Sequence, residues 1–146
     1  MKNVSKKRAE SIALTGKMIE LCAKIQEVEV GCEIEIACEL ETLIAEIPVQ
    51  PIFSNRYCAP KEDARSPSHQ SGLVALSVIY IIRNEASYML SHNRRGDSIA
   101  SIALPRATQD VTFAAVSEGL AMLGAFISVQ IAAVKKTYLD IELGNA

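Results

Sequence analysis

Two histidines, four cysteines and seventeen acidic residues are the raw material for chemistry in this 146-residue chain. His69 and His92 stand isolated, and no Cys-x-x-Cys, His-x-x-x-His or Glu-x-x-His spacing offers a set of metal ligands. No metal or cofactor is therefore expected. Cys22, Cys32, Cys38 and Cys58 read as reduced thiols of a cytoplasmic protein, serving mainly as small core residues. Cys58 lies in a proline-rich stretch and is expected to be the most exposed thiol. Paired with either histidine it would make a nucleophile and base, so a thiol-dependent enzyme using Cys58 is one alternative reading.

Within "HNRRGDSIAS" the letters Gly96-Asp97-Ser98 match the nucleophile block of GDS-type esterases. Such enzymes follow it with a downstream Asp-x-x-His, but no histidine follows His92 here, so the usual base is missing. Gly16-Lys17 lacks both the earlier glycine and the following Ser or Thr of a phosphate-binding loop. The expectation is a protein that is not an enzyme.

The densest chemistry is acidic. "EVEVGCEIEIACELETLI" places Glu27, Glu29, Glu33, Glu35, Glu39 and Glu41 in alternation with apolar residues. Carboxylates on a regular face do not wrap around one cation, so the row is read as an acid-sensitive face rather than a calcium site. Protonation would relieve its mutual repulsion. As a strand, neighbouring glutamates would sit about 7 Å apart and repel by roughly 0.6 kcal/mol per pair. A helix disperses them, and no turn signal precedes the stretch, so helix is preferred.

The elements that must position these groups follow from periodicity. Steps of three and four through Ile12, Thr15, Met18, Cys22, Ile25, Val28, Cys32, Ile36, Leu40 and Leu43 describe one stripe on a long helix over 5–47. Four of the five prolines fall at 48–72, read as a loop. Helix is expected again at 73–92 and at 98–143, the latter mainly from Arg106 to Leu143. There the small residues Ala114, Ser117, Ala121, Gly124, Ser128 and Ala132 form a stripe along which another backbone could approach closely, a candidate assembly interface. The uncharged run Gly119–Val134 is short for a membrane span, with Glu118 at its border. A small membrane-associated or membrane-active protein is the second alternative.

Hydrophobic residues are 49% of the chain but aromatics only 5%, the composition of closely packed helices. The net charge of −2 gives no nucleic-acid footprint. The fold expected is all-α, one domain over 1–146 forming a helical bundle or assembly subunit, with α+β and a strand at 27–41 as the alternative.

Gly119-Leu120-Ala121-Met122, with Ala125 and Gln130, resembles a stretch of the R-body, or killing-trait, proteins. Gly124 departs from that pattern where an asparagine would stand, and Gln130 is single where glutamines come in pairs. The resemblance covers about twelve residues and implies a small polypeptide that polymerises into ribbons responding to acid. The expected function is accordingly a non-enzymatic, self-associating structural protein, an acidic subunit and possible pH-responsive polymer unit. Its partner is itself, as homo-oligomer or polymer, or another helical protein, and not nucleic acid.

Overall fold

The long N-terminal stripe breaks at Gly31, whose φ of 112° lies where an L side chain rarely goes. A helix α1 (Lys2–Glu27) ends before it and α2 (Glu33–Ala45) begins after it, so the single helix expected over 5–47 is two. The turn folds α2 back onto α1, where Lys24 Nζ meets Glu39 Oε1 at 2.7 Å. Met18, Leu21 and Ile25 of α1 are buried together with Ile36, Ala37 and Leu40 of α2. Ile12, assigned to the stripe, is instead exposed.

The computed structural model describes residues 2–46, 53–61, 67–105 and 110–144. Parts of the loop expected at 48–72 therefore lie outside the described residues. Its described portion is anchored rather than superficial. Phe53 and Tyr57 are buried against Phe126, with ring centroids 5.7 Å and 5.5 Å away.

Helix α3 (Pro67–Ile82) begins inside the stretch expected as loop and ends earlier than expected, and the chain continues as strands β1 (Ser87–His92), β2 (Ser98–Ala103) and β3 (Val111–Ala115) before α4 (Glu118–Gly144). The three strands form one antiparallel sheet in the order β1-β2-β3. The protein is thus α+β. The all-α helical bundle expected from the sequence is overturned, and so is helix over 83–92, 98–105 and 110–115. The alternative's strand at 27–41 is absent too, since that segment ends α1, turns and begins α2. "SHNRRGDS" is the turn of a hairpin, with Asn93 Oδ1 accepting the Arg95 and Asp97 N–H groups at 2.9 and 3.0 Å.

Helix α4 is the hub. It lies on β2 and β3, and α1, α2 and α3 pack around its other sides. Ser98, Ala100 and Ile102 of β2 point into this interface and are buried. The helix can come close because Gly124 lies beneath the Phe113 ring, where any Cβ would collide.

Candidate interaction surface

The hairpin brings together three groups that the sequence keeps apart. His92 and Ser98 are cross-strand partners, and Ser98 Oγ lies 3.3 Å from His92 Nδ1. His92 Nε2 lies 3.1 Å from Glu118 Oε1 in the first turn of α4. The base missing downstream of Gly96-Asp97-Ser98 is therefore supplied from upstream. Yet Ser98 is only 2% exposed and faces the core beside Ala100. A carbonyl substrate cannot reach that hydroxyl, so the row fastens the hairpin to α4 rather than forming a nucleophilic centre.

A second polar junction gathers the starts of α2 and α4. Glu33 is fully buried; its Oε1 accepts the Ser117 hydroxyl at 2.8 Å and its Oε2 accepts the Gly31 N–H at 2.8 Å. Ser117 Oγ in turn accepts the Leu120 N–H at 3.3 Å, and Ser71 Oγ accepts the Gly119 N–H at 2.8 Å. Gln70 Oε1 accepts the Ile34 N–H at 2.9 Å. These side chains satisfy helix-start N–H groups that have no partner within their own helices. The junction is tight: a Cβ at Gly119 would lie 2.7 Å from the Ser71 carbonyl oxygen. It holds structure together and leaves no room for a ligand.

The six glutamates expected on one acid-sensitive face are dispersed. Glu27 and Glu29 are exposed around the end of α1, Glu33 is in the core and Glu35 is exposed. Glu39 pairs with Lys24, and Glu41 Oε2 accepts the Ala59 N–H at 3.2 Å. The small-residue stripe is likewise divided. Ala114 sits on β3 and Ser117 precedes α4, while Ala121 and Gly124 are buried inside the molecule. Ser128 is half-buried with its hydroxyl donated to the Gly124 carbonyl at 2.8 Å, and Ala132 is exposed. Close approach along this stripe is already taken by the chain's own sheet.

Other chemical readings find little support in the geometry. All four cysteines are free. Cys58 is exposed, with Sγ 3.8 Å from the Arg56 carbonyl oxygen, while burial pushes the Cys22 thiol up from its ordinary pKa. Among the described residues no three His, Cys, Asp or Glu side chains cluster as a metal site would require. A cleft of about 430 Å³ between α1 and α2 is lined by Lys17, Glu20, Lys24, Glu39 and Thr42. Its charges are mixed in sign and partly paired with each other. The segment Glu118–Lys136 is long and apolar enough to cross a membrane, but most of it is buried under the sheet and the other helices.

What stays open is the sheet side. Ser87, Met89 and Ser91 of β1, Ile99, Ser101 and Ala103 of β2, and Thr112 and Ala114 of β3 share the face turned away from α4. None is charged, and Ser101 and Thr112 bond to each other, Oγ to Oγ1, at 3.0 Å. Strand β1 is also an edge, without proline or acidic residue and almost wholly exposed. Met89 on this face is 67% exposed, and Tyr88, on the opposite face of the same strand, is 45% exposed. Isolated apolar residues on a surface mean little, but an uncharged edge strand is a template for a further strand. The sequence concealed it because both faces of "SIASIA" carry small or apolar residues. Compared with known proteins, the chain matches no family model, no curated protein and no solved structure.

Proposed function

We propose that this chain is a non-enzymatic interaction protein that associates with itself, using the β1 side of its sheet rather than the C-terminal helix. The single observation behind this reading is the β1 edge, exposed and uncharged. Natural edge strands are commonly blunted by lysine, proline or a bulge. Here β1 has none of the first two, and its pairing with β2 runs unbroken from Ser87 to His92. Chemistry is disfavoured by the same geometry, because the serine-histidine-carboxylate row among the described residues ends on a buried hydroxyl. The dispersed glutamates supply no common acid trigger, so acid-driven polymerisation is not part of the proposal. Light scattering after size exclusion tests it: the expected mass is a multiple of 15.8 kDa. A mass of 15.8 kDa at every concentration up to the millimolar range would rule self-association out.

A further inference from the structure

The geometry points to one particular assembly, which rests on the self-association just proposed: two copies pair their β1 strands antiparallel about a two-fold axis through Leu90, making one six-stranded sheet.

The register follows from which backbone groups are free. In an antiparallel ladder, hydrogen-bonded and non-hydrogen-bonded residue pairs alternate. The Asn93 N–H donates to the Asp97 carbonyl at 2.9 Å, which marks the hairpin end of the β1–β2 ladder as a hydrogen-bonded position. Stepping back by two along the same register, Ser91↔Ile99, Met89↔Ser101 and Ser87↔Ala103 are the pairs whose backbones face each other. The N–H and C=O groups of Tyr88, Leu90 and His92 therefore point to the open edge.

A second β1 must satisfy these groups. Opposed residues in a sheet share one face, so a two-fold axis normal to the sheet passes through a residue that meets itself. Centred on Leu90, the pairs are Tyr88 with the partner copy's position 92, Leu90 with itself, and position 92 with the partner copy's position 88. Each pair exchanges two hydrogen bonds, and every free group from 88 to 92 is used on both strands. Centring on Met89 would leave position 92 facing Ala86, whose N–H is already donated to the Ile82 carbonyl at 2.8 Å. The Leu90 register is the better match.

Side chains favour a second copy as the occupant. The strand carries no Asp, Glu, Lys or Arg. It thus gives a charged partner nothing to grip and places no like charges together when it meets itself. Leucine faces leucine, and a tyrosine ring lies beside an imidazole, on the helix side of the joined sheet. Head-to-tail growth with helices on the same face would instead set β1 beside a parallel β3, the less stable pairing. The contact should therefore close at two copies. Tyr88 and Met89, 45% and 67% exposed, project to opposite faces of the strand and flank the seam from both sides. The edge backbone with Ser87, Ser91 and His92 completes the contact.

Two measurements test the pairing. Amide hydrogen exchange on the full chain should show slow exchange at Tyr88, Leu90 and His92, at concentrations where the mass is twice 15.8 kDa. Fast exchange there in an oligomeric sample would overturn the register while leaving self-association standing. Tyr88→Pro removes an N–H that points away from β2, so the hairpin should persist, as circular dichroism would verify. The mass should fall by half. A folded Tyr88→Pro protein that keeps the parent mass would overturn the β1 interface. If Tyr88→Pro fails to fold, Leu90→Lys serves instead, placing two like charges at the axis, and an unchanged mass would again refute it. A wild-type monomer would sink this inference and the functional proposal together.

Discussion

The Ser117 hydroxyl donates a 2.8 Å hydrogen bond to the carboxylate of Glu33, a residue 84 positions earlier, and neither group is open to solvent. With the Gly31 N–H on the other oxygen, this carboxylate joins the α1–α2 turn to the start of α4. Replacing it with alanine strands one buried donor, the Ser117 hydroxyl, and one half-buried donor, the Gly31 N–H, at about 1–3 kcal/mol each. Glu33→Ala should therefore lower unfolding free energy by about 3 kcal/mol, read as a fall in urea midpoint at unchanged slope. Glu33→Gln keeps an acceptor for Gly31 and can donate to Ser117 Oγ, so its loss should be about 1 kcal/mol. Equal losses for the two would contradict the junction.

Gly124 gives a second test, because it separates core packing from assembly. Gly124→Ala forces the Phe113 ring aside and should destabilise the fold by about 1–3 kcal/mol, and Gly124→Leu by more. Thermal melts would show this. Were Gly124→Leu as stable as the parent but altered in mass, the small stripe would be an outer contact after all.

Alkaline stability should report on Tyr57. Its phenol is buried against Phe126 with its oxygen 3.0 Å from Ser77 Oγ, and burial raises its pKa well above the ordinary 10.0. Below pH 10 the group is protonated in both states and contributes nothing to the pH dependence. Above that, the unfolded chain loses a proton that the folded one keeps, so stability falls as pH rises. Tyr57→Phe should remove this part of the decline, at about 1 kcal/mol lost near neutrality with the hydrogen bond. An unchanged slope between pH 10 and 12 would show that the phenol ionises freely.

Thiol reactivity gives a fourth. Cys38 and Cys58 are exposed, whereas Cys22 and Cys32 are partly covered and burial raises the Cys22 thiol. Native protein at pH 8 should release chromophore from an aromatic disulfide reagent in a fast phase of two thiols, with Cys22 slow. Four equally fast thiols would mean the α1–α2 pair is open in solution.

Parts of this architecture were legible because the signal was local. Met18, Ile25, Ile36 and Leu40 fall at helical spacing and are buried. The break at Gly31 was not legible, since one glycine inside a helix costs only about 1 kcal/mol relative to alanine. What commits the turn is the reach of Glu33 back to the Gly31 N–H, and nothing local distinguishes Glu33 from its five neighbours in the row. The strands were missed for a related reason. A half-buried strand normally alternates apolar and polar, but Ile99 and Met89 lie on the uncovered face while Ser98 lies inside. The open surface erased its own signature. At Gly124 the small residue lies against the Phe113 ring of the chain's own β3.

Chain order adds a consequence for synthesis. Every element that α4 covers precedes it in the chain, so during translation the hairpin, β3 and the α1–α2 pair emerge before the helix that shields them. Until then Ala100, Ile102 and Phe113 have no lid, and the nascent sheet has two naked faces instead of one. Folding on the ribosome must wait for α4, and a product truncated within α4 would be a substrate for chaperones and proteases rather than a shorter working version.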